Sequence, residues 1–347
     1  MKRLFWRILL GIGILVLIAV VAGGIHVNST VIKLPSGTDE IIDQVMQSEI
    51  PELVKGQSGL ISNDGVQIWY ESIEPSDSIY GTVLLFMGIG SDALAWPEYF
   101  TDPIVERGYR VIRFDNRGTG MSDWVKDWQG KGAYSLDDMA ADGIAVLDTL
   151  GIDQFHAVGV SLGGMIAQQA AINYNDRVLS LTSMMSSAYI EDPELPGISM
   201  DIMKKFIKIA LRYGVLPTER NTIKLNVAAR SLLIGETKYN VDIRGITEEV
   251  LYNLRNRKGY NSTATQQQSA AVSESGSRYS SLKKLKCPTL VIHGTTDPLM
   301  PFVHGKKTAE IIPGAETLWV EGMGHDVPEI FTDTILTRIF NFWESSN

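Results

Sequence analysis

Apolar residues along this chain fall into three patterns. From Ile8 to Ile25 they form one uncharged run, ILLGIGILVLIAVVAGGI. After about Ser58, short apolar blocks recur at Thr82 to Met87, Arg110 to Phe114, Phe155 to Val160, Val178 to Met184, Thr289 to Ile292 and Thr317 to Val320. Helix-compatible stretches lie between most of them, and continuous apolar strands separated by helices predict a mainly parallel sheet covered on both faces. Between Ser187 and Ser281 the blocks cease and helix-like segments such as Ile202 to Leu211 and Ile246 to Leu254 take over, which predicts a helical insertion capping the carboxyl edge of the sheet.

Local signals sharpen this outline. Two alternating runs around Asn63-Asp64-Gly65 predict a hairpin, because these residues tolerate the positive φ of a tight turn. Ser135 with Asp138 three residues on is a capping-box start for the helix carrying Leu136, Met139, Ile144 and Leu147. Thr38 followed by Ile41, Ile42, Val45 and Met46 predicts a short amphipathic helix. The Gln266-Gln267-Gln268 tract resembles low complexity, but the stretch Ala264 to Ser275 ending at Gly276 is read as a helix with its stop signal. The organisation expected is a membrane segment (1–30), a linker with a short helix (31–58), an α/β core (59–186 and 282–347) and a helical cap (187–281).

The first segment is long enough to cross a membrane: eighteen residues as helix span about 27 Å of a roughly 30 Å hydrocarbon core. Lys2, Arg3 and Arg7 precede it and only Lys33 follows closely, so the positive-inside bias places the N-terminus in the cytoplasm and the rest outside, as a single-pass anchor. The competing expectation is a cleaved signal peptide ending near Ala22-Gly23-Gly24, which would leave a secreted or periplasmic protein.

Composition narrows the function. The chain has 347 residues, 44% hydrophobic and 20% charged, which is globular. A formal charge of −9 argues against nucleic acid as a partner. Cys287 is the single cysteine, so neither an internal disulfide nor a Cys-rich zinc module can form. Charge is uneven: the cap carries 13 basic and 10 acidic residues, and its Lys204, Lys205 and Lys208 would be drawn to anionic headgroups if lipid esters are met at a bilayer.

The chemistry centres on Gly159-Val160-Ser161-Leu162-Gly163, which follows the strand FHAVGV and precedes the helix-compatible MIAQQAAINY. A serine on a sharp strand-to-helix turn is the nucleophile-elbow arrangement, and its hydroxyl needs a base that is itself fixed by an acid. Of five histidines, His26 lies beside the apolar run, His156 within a strand, His293 at a strand end and His304 at a helix start. His325, in the glycine-rich loop Glu321-Gly322-Met323-Gly324-His325 after the last strand, can reach the elbow. Asp297, directly beyond TLVIHG, is the matching acid, with Asp326 and Asp92 as spare carboxylates. Met184 and Met185 read as core, and the stretch Asp115 to Ser122 as a loop brace working through Arg117.

The order Ser161, Asp297, His325, with its flanks, resembles the α/β-hydrolase superfamily from about residue 56 onward. Leu85-Phe86-Met87-Gly88-Ile89-Gly90 and Asp115-Asn116-Arg117-Gly118-Thr119-Gly120-Met121-Ser122 fit the same pattern, which is similar to bacterial esterases of the aclacinomycin methylesterase kind, with Met-Gly where many relatives carry His-Gly. The resemblance implies an α/β-hydrolase fold, backbone NH groups of Ile89 and Leu162 as the oxyanion hole, and catalysis with no cofactor or metal. The expected activity is hydrolysis of a fairly apolar, small-molecule or lipid-like carboxylic ester. Amide, thioester or acyl-transfer chemistry on the same residues, or a small-molecule receptor of this fold, are the alternatives; a serine nucleophile disfavours the epoxide-opening and dehalogenating relatives.

Overall fold

A computed structural model of the chain describes residues 33–126, 134–236 and 239–346. The apolar run Ile8 to Ile25, and with it the expected membrane crossing, lies outside them. Among the described residues no helix is long and apolar enough to cross a membrane.

The core is one eight-stranded sheet. Its strands are β1 (Gln57–Asn63), β2 (Val66–Ile73), β3 (Gly81–Phe86), β4 (Tyr109–Phe114), β5 (Phe155–Val160), β6 (Val178–Met184), β7 (Thr289–Gly294) and β8 (Glu316–Val320). They lie in the order β1-β2-β4-β3-β5-β6-β7-β8. The β1–β2 and β2–β4 pairs are antiparallel, and every pair from β4 to β8 is parallel. The hairpin turns where expected: Asn63 pairs with Val66, and Asp64 and Gly65 both have positive φ, the requirement of the two-residue turn whose twist matches the strands.

Successive residues of a strand face opposite sides of a sheet, and the side chains of β3 divide accordingly. Leu84 and Phe86 join a core with α3 (Leu136–Thr149) and α4 (Leu162–Asn173); Val83 and Leu85 join another with α2 (Glu98–Glu106) and α11 (Glu329–Ser346). Both faces are covered, which is why these strands read as continuous apolar blocks. The capping box at Ser135 forms in full, with Asp138 NH on the Ser135 hydroxyl and the Asp138 carboxylate on the Ser135 NH.

Between β6 and β7 the described residues form five α-helices: α5 (Met200–Ile209), α6 (Glu219–Leu233), α7 (Ile243–Asn256), α8 (Ser262–Ser275) and the single turn α9 (Tyr279–Leu282). A π-helical turn, Ala210–Gly214, continues α5. The glutamine tract is helical, with Gln267 and Gln268 buried and Gln266 exposed. The helix expected in the linker is α1 (Thr38–Gln47), which is no mere spacer: Ile42 and Val45 are buried against Ile223 and Val227 of α6 and Ile246 and Val250 of α7. Helix α10 (Val303–Ile311) completes the β7–β8 crossover.

One buried group makes stability depend on pH. His156 stacks on Trp343 at 4.7 Å, its Nδ1 meets Ser180 Oγ at 2.8 Å, and burial pushes its pKa down to about 4. Because the folded value lies below the unfolded one, the unfolded chain binds the extra proton, so stability is full above about pH 6.5 and is lost as pH falls toward 4. A loss on the order of 3 kcal/mol is expected across that window. Urea midpoints at pH 7 and 4.5 should separate clearly in wild type and less in His156→Asn.

Candidate active site

Ser161 sits between the end of β5 and the start of α4 with φ 56° and ψ −121°, a conformation non-glycine residues rarely adopt. The backbone around it fixes that geometry: Ser161 NH donates to Met184 O at 2.9 Å, and Ser161 O accepts from Gly164 NH at 3.0 Å and from the Ser186 hydroxyl at 2.8 Å. Glycine is required at Gly163 for close approach, since a Cβ there would lie 1.9 Å from Phe86 O. The turn can therefore press β5, α4 and the end of β3 together only without that side chain. Leu162 is the first residue of α4, so its NH has no acceptor within the helix and lies at the positive end of the helix dipole.

The loop after β3 runs across this turn. A Cβ on Gly88 would be 3.6 Å from Ser161 Cβ, and Ile89 lines the cavity above the serine. Two long-range hydrogen bonds hold the loop: Asn116 Nδ2 donates to Met87 O at 3.0 Å, and Gly90 NH donates to Gln268 Oε1 at 2.8 Å. Nothing local in the sequence links Gln268 to Gly90; the positions lie 178 residues apart.

On the other side, Asp297 occupies the loop after β7. Its Oδ1 accepts from Leu299 NH at 2.8 Å and Met300 NH at 2.7 Å, and its Oδ2 faces His325 Nδ1 at 2.7 Å. A carboxylate can only accept, so His325 carries its proton on Nδ1, which leaves Nε2 with a lone pair. Burial pushes the Asp297 carboxyl up, but the His325 imidazole and the hydrogen bonds from His293 and His325 outweigh it and hold the group well below the usual carboxylate range. His293, expected to be a structural strand-end residue, stands with Nε2 3.4 Å from Asp297 Oδ2 and 2.9 Å from Met300 O, so it also braces the acid's loop.

Ser161, Ile89 and His325 line one cavity of about 880 Å³. Most of its remaining wall is apolar, including Met87, Phe206, Leu225, Leu299 and Val327. The His325 loop is tied to the cap: His325 NH donates to Leu233 O at 2.8 Å, and Gly235 bridges Met323.

The other candidates are engaged elsewhere. Asp92 and Asp115 share Arg257, at 3.2 Å for Asp92. Arg117 makes a two-pronged contact with Asp142, at 2.7 and 2.6 Å, and acts as a loop brace. His304 meets Ser187 Oγ at 2.9 Å, and Met184 and Met185 are buried core. Asp326 lines the cavity beside His325, and burial raises its pKa. Sequence reading did not single out Arg230 and Glu249, which also line the cavity and pair at 2.5 Å. No group of side chains suited to a metal ion occurs among the described residues.

Comparison with known proteins agrees with this architecture. The alpha/beta hydrolase fold family matches residues 81–330. The chain is 29% identical over 292 residues to rhodomycin D methylesterase of Streptomyces peucetius, covering 78% of this chain and 92% of that one. It is 27% identical over 296 residues to a bifunctional esterase/perhydrolase of Acinetobacter calcoaceticus, covering 82% and 98%. Among solved structures, a thermophilic esterase from Thermogutta terrifontis superposes with a TM-score of 0.61 at 22% identity, over 83% of this chain and 99% of the other. A membrane phospholipase A superposes with a TM-score of 0.63 at 19% identity, over 100% and 99%; both structural likenesses speak to the fold. The chain belongs to the α/β-hydrolase family. It is a hydrolase, with relatives that include methylesterases.

Proposed function

We propose that the protein hydrolyses carboxylic esters of fairly apolar, small-molecule or lipid-like substrates through an acyl-enzyme formed on Ser161. The observation that carries this reading is a serine held at an elbow φ of 56°, facing the same cavity as an imidazole whose Nδ1 is fixed on a buried carboxylate at 2.7 Å. His325 Nε2 takes the Ser161 proton as Oγ attacks the ester carbonyl, and Asp297 stabilises the resulting imidazolium. The NH groups of Ile89 and Leu162 receive the oxyanion, each worth roughly 3 kcal/mol in the transition state. The imidazolium then protonates the departing alkoxide. Water, activated by the same imidazole, attacks the acyl-enzyme and frees Ser161 as the carboxylate leaves. The nucleophile, the base and the oxyanion donors of this scheme are all protein groups, so besides water no cofactor enters it.

The apolar wall favours an apolar acyl or alcohol group over a charged one. A peptidase reading needs a cap carboxylate free to receive a substrate amine. Glu249 is the acidic residue that the cap contributes to the cavity lining, and it is already paired with Arg230. We further propose that Ile8 to Ile25 anchors the enzyme in a membrane with the hydrolase domain on the extracytoplasmic side, on the charge asymmetry of Lys2, Arg3 and Arg7.

The test is reaction with a fluorophosphonate, followed by peptide mass analysis and a panel of p-nitrophenyl esters of increasing chain length. The adduct is expected on Ser161, with turnover rising from acetate to longer acyl chains. An unlabelled Ser161, or saturable binding without product release, would refute the reading.

A further inference from the structure

Of the twelve large apolar side chains exposed among the described residues, seven lie between Ile198 and Leu216. Met200, Met203, Ile207 and Leu211 recur at helical spacing along α5 and the π-turn that continues it; Ile207 is 53% and Leu211 65% exposed. A contiguous exposed stripe of this kind marks an interaction surface rather than ordinary scatter. Lys204, Lys208 and Arg212 run beside the stripe one position further on, joined by Lys205, and Asp201 is the one acid between Ser199 and Leu216.

We propose that this face of the cap docks onto an anionic lipid bilayer, with α5 lying in the interfacial plane, its apolar stripe sunk to the level of the acyl chains and its basic flank among the headgroups. Three observations select a bilayer as the occupant. The charge beside the stripe is cationic, as an anionic headgroup layer requires and a second, equally cationic copy of the same stripe does not. The path of the chain brings the stripe close to any anchor: Leu34 packs beside Ile209 and Tyr213 on the inner side of the same helix and turn. Only eight residues separate Ile25 from Leu34, a reach of at most about 30 Å. The stripe also runs into the mouth of the cavity, because Ile198 and Met203 line the space that holds Ser161. An ester dissolved in the outer leaflet would thus enter the cavity without crossing water. This docking is independent of which bond Ser161 cleaves.

The full-length chain, reconstituted in vesicles of phosphatidylcholine and phosphatidylglycerol, provides the test. The native Cys287 is buried, so Leu211→Cys can be labelled with an environment-sensitive fluorophore, with Gln154→Cys, exposed at the far end of β5, as the reference. Brominated lipid is expected to quench the label at position 211 and leave the one at 154 unchanged. Changing Lys204, Lys208 and Arg212 together to Gln should reduce the quenching to its level in pure phosphatidylcholine. Met200→Gln/Ile207→Gln/Leu211→Gln should lose about tenfold in hydrolysis of vesicle-borne 4-methylumbelliferyl oleate while keeping its rate on soluble p-nitrophenyl acetate. An unquenched label at 211 overturns the proposal. So does a label shielded equally in detergent, which would mean that residues 8–25 fold over the stripe, or a 211–211 disulfide dimer, which would assign the face to a second copy. Quenching is read without turnover, so a protein inactive on every ester would refute the ester reading and leave this one standing.

Discussion

Ser161→Ala is expected to lower kcat on p-nitrophenyl butyrate by about 10⁴-fold or more while leaving the melting temperature nearly unchanged. The backbone contacts that hold the elbow, from Ser161 NH to Met184 O and from Gly164 NH to Ser161 O, do not involve the hydroxyl, so alanine can occupy the same strained turn. On the proposed mechanism the oxygen that bonds to the acyl group is lost, and a loss of that size corresponds to about 5 kcal/mol of transition-state stabilisation. Adding His325→Ala to this variant should cost little more, because groups that act as one unit do not contribute additively. A double variant much slower than either single one would assign His325 a role separate from Ser161.

Asp297→Asn should cost about 10³- to 10⁴-fold in kcat. The asparagine oxygen can still accept from Leu299 NH and Met300 NH, which keeps the loop in place, whereas its NH₂ would face His325 Nδ1. That contact selects the imidazole tautomer with its proton on Nε2, where it can no longer take the proton of Ser161. The substitution has a second, separable signature. The folded Asp297 carboxyl titrates below its ordinary value, so the ionised form contributes stability above about pH 4, and that contribution is lost as pH falls further. Asp297→Asn should therefore flatten the acid limb of the stability profile, read by urea midpoints between pH 5 and 3. Wild-type activity in Asp297→Asn would remove this carboxylate from the mechanism.

The strand blocks, the Asn63-Asp64-Gly65 turn and the Ser135 cap were legible in the sequence because each depends on residues within a few positions of one another. The placement of Ser161, Asp297 and His325 near one another was legible for another reason: each ends a strand or follows one closely, and parallel strands deliver their carboxyl ends to one edge. Contacts between distant segments left no such trace. The reach of Gln268 to Gly90 and the Arg230–Glu249 pair inside the cavity each join positions whose spacing carries no period. The same holds for α1. Its amphipathic pattern announced a helix, but not that the buried side would be taken by α6 and α7 instead of the sheet.

That last placement carries a mechanical consequence. A pull on the polypeptide ahead of Thr38 would be felt first by the roof over Ser161 and only afterwards by the strands beneath, because α1 is fastened to the roof. Were the N-terminus held in a membrane, as proposed above, the length of chain leading into α1 would set how far the entrance can stand from that tether.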